Sequence, residues 1–301
     1  MSSPASHPGA LRRLLKNPKA IAALAVLGLI VLLAIAGPLV FPYAPETTTS
    51  AKLTAPSAEH WCGTDLNGRD LFSRVLQGAR VSLIVGLCGA LISFLIGTTY
   101  GLISGYVGGR TDNVMMRLVE VLHSVPRLII IIVAIFTFAP RLEGFLHEKW
   151  PEMKGYAKVL IIILSLGLIE WLSMARIVRG QVLTLKEQQF VLAARALGQS
   201  HTRIILRHLL PNLIGVVVVY LTLTIPAVIL DESFLSFLGL GIQAPQASWG
   251  SLLADGAQVI NPIRSYWWLL LFPAAVMSLT LLALNFLGDA LRDALDPRAR
   301  R

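Results

Sequence analysis

Charge is scarce in this 301-residue chain: Asp, Glu, Lys and Arg make up only 14% of it, against about 25% in a soluble domain. Hydrophobic residues reach 55% and the mean hydropathy is +0.68, which excludes a disordered chain, poor in apolar residues and rich in charge. Lys and Arg together number 26 against 17 acidic residues. These basic residues flank apolar runs and form no single patch, so no nucleic-acid partner is expected. There are two cysteines, Cys62 in a polar stretch and Cys88 inside an apolar run. No CxxC and no metal-spaced cysteine set occurs, so neither a disulfide framework nor a metal site is expected.

Catalytic motifs are missing too. No glycine precedes any of the seven lysines, so the phosphate-cradling G-x-x-x-x-G-K-[ST] loop is absent. His147-Glu148 opens like a zinc-protease helix, but Pro151 stands where the second histidine belongs. In Gly101-Leu-Ile-Ser104-Gly105 the serine is one place off a nucleophile elbow. No catalytic residue and no bound cofactor are assigned to the chain, and any energy source lies elsewhere.

What the chain does contain is long apolar runs. Six membrane spans are expected, each needing about 20 residues: Ile21–Val40, Val81–Gly109, a third centred on Leu128–Pro140 and starting near Val114, Val159–Val178, Leu213–Leu230, and Tyr266–Gly288. Ala34 and Ala36 resemble a signal-cleavage site, but the first run is longer than the 7–15 residues of a typical signal core, so it reads as a span. The last run opens on Tyr266, Trp267 and Trp268, an interfacial aromatic belt. Segments 1–20, 110–127, 176–207 and 292–301 carry 17 Lys/Arg, against 9 in the alternate segments. The positive-inside bias therefore puts both termini in the cytoplasm.

The expected organisation is a cytoplasmic tail over 1–20, a first span over 21–40, an extracytoplasmic loop over 41–80, a core over 81–290 holding spans two to six, and a cytoplasmic tail over 291–301. Small residues recur every fourth position in the second span, at Gly89, Ser93, Gly97, Gly101, Gly105 and Gly109. That spacing makes a groove where another helix packs closely.

The segment Lys186–Asn212 reads as two basic, amphipathic helical pieces broken at Gly198. By its physics it suits either a membrane surface rich in anionic headgroups or a protein dock. Here the sequence resembles a family. Ala193-Ala194, then Gly198, then Leu210-Pro211 look like the EAA loop of ABC-importer permeases. The other matching stretches are GTD at Gly63–Asp65, GRD at Gly68–Asp70, GAR at Gly78–Arg80, Met116-Arg117, RGQVL at Arg179–Leu183 and ARALG at Ala194–Gly198. Near the end come SFLGLG at Ser236–Gly241, SWG at Ser248–Gly250 and LGDALRDALDPR at Leu287–Arg298. Together they resemble the C-type permease of oligopeptide, dipeptide and nickel importers, an inner-membrane component of binding-protein-dependent transport systems.

The resemblance implies an all-α, six-helix type I importer permease in the bacterial cytoplasmic membrane. Ala193, Ala194, Gly198, Arg203, Leu210 and Pro211 would form the ATPase-coupling loop. Implied partners are a homologous permease, two ATPase subunits that bind the ATP and Mg, an extracytoplasmic substrate-binding protein and the lipid bilayer. The substrate would be a peptide, with nickel or another small solute as the alternative. Leu192 departs from the family by standing where the loop glutamate belongs, and Arg127 and the charged segment Arg141–Lys158 depart as well.

Three sets of charges are read from their spacing and place. Asp65/Arg69 and Asp70/Arg74 are spaced i, i+4, as if paired on one helix, and are candidates for binding-protein docking. Glu170 lies within the fourth span and is expected to face protein or water. Asp231 and Glu232 follow the fifth span and, with Glu170, are candidates for the translocation path. Pro226 and Gly239-Leu-Gly241 point to an interrupted helix there. Ionisable groups at these positions would also serve an ion-coupled secondary transporter.

Overall fold

The computed structural model describes residues 13–150, 155–261 and 263–295, so most of the expected 1–20 and 291–301 tails lie outside it. The described residues form α1 (Pro18–Val40), α2 (Leu71–Val107), α3 (Gly109–Ser124), α4 (Arg127–Lys149), α5 (Ala157–Leu185), α6 (Gln189–Ala196), α7 (His201–Phe237), α8 (Trp249–Gln258) and α9 (Trp268–Leu295). Six of them, α1, α2, α4, α5, α7 and α9, are long and apolar enough to cross a membrane.

Local chemistry sets the helix starts. Asn17 caps α1, accepting from the Lys19 amide at 3.0 Å, with Pro18 as the first helical residue. Asp70 caps α2, accepting from the Ser73 amide at 2.9 Å. That cap starts α2 ten residues ahead of the expected Val81, because Leu71, Val75 and Ala79 bury one face while Arg74 and Arg80 interrupt the apolar run. The third span is not one helix either. Val125 is extended before Pro126 (φ −81°, ψ 131°), as a residue preceding proline tends to be. This ends α3 and lets α4 begin at Arg127. At its other end α4 continues through Pro140 to Lys149, so much of the expected Arg141–Lys158 connection is helix, and 151–154 lie outside the described residues.

The centre of the bundle is the contact of α2 with α5. A Cβ at Gly97 would sit 2.6 Å from the Met174 Cβ, at Gly101 2.5 Å from the Ala175 carbonyl, and at Gly105 2.8 Å from the Val182 Cβ. The sequence offset is nearly constant along the contact, which only parallel neighbours give. Gly167 repays the approach from α5, lying against Ile92 and the Gly89 carbonyl. Gly109 is different: φ is +57° and the space around it is open, so the groove ends before it. The α7 helix closes the third side, with Val228 over Gly89 and Ile229 over Gly86.

Residues 41–70 fold against the N-terminal end of α2. Asp65 Oδ1 accepts from the amides of Asn67 (2.8 Å) and Arg69 (2.9 Å), and its Oδ2 takes Arg74 Nη1 at 2.6 Å. Arg74 also reaches Asp255 on α8 at 3.2 Å. Asp70 divides its oxygens between the α2 cap and His60 Nδ1 at 2.9 Å. The expected i, i+4 pairs are not made, because Asp65 lies in a turn before the helix and Asp70 is its cap. Asp65, Asp70 and Arg74 are buried and Arg69 half-buried, so these charges fold the loop and do not present the expected docking surface. Cys62 is enclosed here as well, and burial, with Asp70 nearby, pushes its thiol up to about 12.

Two outcomes follow in detergent-solubilised protein. Gly101→Ala should lower stability by about 1–3 kcal/mol through overpacking, whereas Gly180→Ala, with nothing within 4 Å, should leave the melting temperature unchanged or raise it. Asp65→Asn keeps the turn but leaves Arg74 short of its buried counter-charge, and should cost on the order of 3–5 kcal/mol. Asp255→Asn, at a side chain 45% exposed, should cost less than about 1 kcal/mol. Equal shifts in melting temperature for Asp65→Asn and Asp255→Asn would contradict the buried clasp.

Candidate functional site

At the end of the bundle where α2 and α5 terminate, residues 186–212 project as a knob. Helix α6 closes in a Schellman turn: the Gly198 amide donates to the Arg195 carbonyl at 2.9 Å and the Gln199 amide to the Ala194 carbonyl at 3.1 Å. Gly198 takes φ +70° there, a conformation costly for a β-branched residue. Val191 and Ala194 are buried with Ile204, Leu209 and Leu213 against Leu102, Tyr106 and Val182. Tyr106 adds two polar ties, its hydroxyl 2.8 Å from His201 Nδ1 and its ring 5.3 Å beneath the Arg195 guanidinium. Of the residues assigned to the loop from sequence, Ala194 is buried, Leu210 half-buried, and Ala193, Gly198, Arg203 and Pro211 exposed.

The tip is apolar. Leu197 is 80% exposed and Leu206 59%, with Leu192 and Phe190 also exposed. Leu197 lies inside the ARALG motif, where helical spacing marks it as apolar but nothing in the sequence shows that it faces outward. A five-residue π turn, Ile205–Leu209, joins the knob to the rest of α7. Its widened ring accommodates Pro211, which has no amide to donate, and the Asn212 side chain donates to the His208 carbonyl at 2.6 Å.

Above the knob, Arg179 of the RGQVL motif grips Asp112 on α3 with two hydrogen bonds, of 2.6 and 2.5 Å. Ser104 on α2 donates to the same carboxylate at 2.5 Å. The hydrogen bonds from Arg179 hold the Asp112 carboxyl below its ordinary range, so the stabilisation is present at neutral pH and fades as acid protonates the carboxylate. Lys186 donates to the Gly105 carbonyl at 3.0 Å. The ends of α2, α3 and α5 are thus joined at the base of the knob. No sequence pattern pairs residues 67 apart.

A second polar centre joins α4, α5 and α7. Arg127, the first residue of α4, reaches Glu170 on α5 at 3.3 Å and Asp231 on α7 at 2.9 Å. Glu170 stands 13 residues into the 29-residue α5, about 20 Å from its start, a depth where an isolated charge costs about 2.5–3.5 kcal/mol. Pairing answers the sequence expectation that Glu170 faces protein or water. Arg127 noticed only as a family departure, is the residue that brings Glu170 and Asp231 together.

Glu232 points elsewhere, about 100° around α7. Its carboxylate is 0% exposed and accepts from Ser236 at 2.7 Å, Ser82 at 3.1 Å and Ser233 at 3.4 Å. Ser236 Oγ in turn receives the Ile242 amide at 2.9 Å. The Trp249 amide donates to Ser82 at 3.3 Å, and Gly250 abuts the Ser233 backbone. The SFLGLG and SWG stretches therefore build a sealed joint between α2, α7 and α8. Glu232 is corrected from a path residue to a structural one. The expected interruption of α7 is also corrected: the helix runs through Pro226 to Phe237, and Gly239 (φ +76°) lies beyond its end.

Comparison with known proteins agrees with this architecture. Residues 97–301 match the family model described as binding-protein-dependent transport system inner membrane component, and residues 9–56 match the N-terminal TM domain of oligopeptide transport permease C. The chain is 47% identical to the dipeptide transport system permease protein DppC of Bacillus subtilis, over 97% of this chain and 86% of that protein. It is 46% identical to the oligopeptide transport system permease protein OppC of Haemophilus influenzae, over 97% and 88%. With the Escherichia coli K12 OppC the identity is 47%, over 97% and 91%. Among solved structures, an inward-facing MetNI methionine ABC transporter chain superposes with a TM-score of 0.56 at 18% identity, covering 75% of this chain and 98% of that one, a likeness of fold. With six apolar helices, this is a multi-pass protein of the bacterial inner membrane, and it belongs to the family of binding-protein-dependent transport system inner membrane components.

Proposed function

We propose that the chain is the C-type permease subunit of an ATP-driven peptide importer, forming the translocation path with a homologous permease. The peptide substrate is carried over from relatives whose names say dipeptide and oligopeptide transport. The excess of Lys and Arg in alternate segments supports an orientation with both termini and the 186–212 knob in the cytoplasm. An extracytoplasmic binding protein delivers substrate to the opposite face, and two ATPase subunits supply the energy.

The observation that carries this reading is the knob itself. A Schellman turn holds Leu197 80% exposed at its tip, and Arg195, Arg203 and Arg207 are exposed on the same segment. With Phe190, Leu192 and Leu206 also exposed on this segment, the knob has the apolar surface expected where a partner docks. We assign that surface to an ATPase subunit, with Ala193, Gly198, Leu197 and Arg203 on the contact side and Ala194, Leu210 and Pro211 fixing the base. Glu170 and Asp231 belong to the path.

Leu197→Asp is expected to lower ATP-driven peptide uptake in proteoliposomes at least tenfold and to abolish copurification of the ATPase subunits, with insertion and melting temperature unchanged. Gly198→Val should do the same while also lowering the melting temperature. Wild-type uptake by Leu197→Asp would overturn the assignment.

A further inference from the structure

Arg127, Glu170 and Asp231 come from three helices, α4, α5 and α7, and their charges sum to −1. The guanidinium engages one oxygen of each acid, Glu170 Oε1 at 3.3 Å and Asp231 Oδ1 at 2.9 Å. The second oxygen of Asp231 is buried with no hydrogen-bond partner, on a residue more than nine-tenths buried. Yet the cluster is not sealed: the Arg127 side chain is 53% exposed and that of Glu170 16%. Arg127 opens the apolar helix α4, and a guanidinium there does not leave half its surface to lipid tails, so that surface faces water or protein. This contrasts with Glu232 one residue on, which is fully enclosed by serine hydroxyls.

We propose that Glu170 and Asp231, positioned by Arg127, form a site in the path that takes a primary ammonium group of a passing peptide. The charge count selects the ligand. A cation brings the cluster to neutrality, whereas a carboxylate approaching Arg127 meets two carboxylates already there. Glu170, its side chain 16% exposed, is the acceptor an ammonium meets first, and the enclosed second oxygen of Asp231 becomes another as Arg127 shifts aside; an ammonium offers three donors and no acceptor. The source is either the peptide's amino terminus or a lysine side chain. Glu170 and Asp231 are then specificity-determining residues and Arg127 a positioning residue.

The inference rests on the transport reading above, and the test separates the two. The complete complex in proteoliposomes is assayed for initial uptake of a neutral tripeptide and of the same peptide with one residue replaced by lysine, at saturating binding protein. Glu170→Gln and Asp231→Asn should each lower the maximal rate at least fivefold, and Glu170→Asp should recover most of it. If the amino terminus is the ligand, both peptides fall alike; if the lysine is, only the second falls. Millimolar propylammonium should inhibit the wild type and lose its effect in Glu170→Gln, a readout that a structural role would not move. Unchanged rates, or propylammonium inhibition equal in wild type and variant, would overturn the site. Loss of the homologous permease from Asp231→Asn complexes would overturn it in favour of a subunit contact. Absence of any uptake by the wild type would remove the transport reading, and this inference with it.

Discussion

The close approach of α2 to α5 is the constraint on which the remaining architecture depends. Lipid tails are as apolar as leucine, so burying apolar side chains gives helices in a bilayer little reason to associate. Contact must come from dispersion over a well-matched surface. Gly97, Gly101, Gly105 and Gly167 supply it by letting backbones touch. Once that register is set, Arg179 lies opposite Asp112 and Ser104, and Ser82 meets Glu232 of α7. The polar connections of α2 follow from the glycine contact, since a shift of one turn along α2 would take Ser104 from Asp112 and Ser82 from Glu232.

The buried charges fall into three kinds by how they are satisfied. Asp65 with Arg74 and Asp112 with Arg179 are neutral pairs that tie an end of the bundle together. Glu232 is held by neutral hydroxyls and the turn around it. Arg127, Glu170 and Asp231 combine an incomplete hydrogen-bond set with access to the outside of the subunit. Completeness separates these groups better than location does, because all of them sit within or against spanning helices.

The sequence makes the spans legible because hydrocarbon demands long uncharged runs, and it makes the Gly198 turn legible because a positive φ demands glycine. It also makes the α2 groove legible through spacing alone. It misleads where charge is used inside the fold. Arg74 and Arg80 hide the first ten residues of α2, since Arg74 is neutralised by Asp65 and Arg80 donates to the carbonyls of Ala34 and Ile35, partners far away in sequence. Adjacent Asp231 and Glu232 look equivalent in sequence, yet one faces Arg127 and the other three serines. Motif residues such as Ser236 and Gly250 read as signatures of a family, and only packing reveals that they close a joint.

The π turn at Ile205–Leu209 holds one residue more than an α-helix needs over the same rise. That residue is slack stored next to the knob. Passing it along α7, one hydrogen bond at a time, would turn the residues it passes by about 100° and slide them by about 1.5 Å, and leave the knob where it stands. Helical content and the Schellman turn would both survive. Such a shift would re-aim the side chains just behind the knob without unseating its tip.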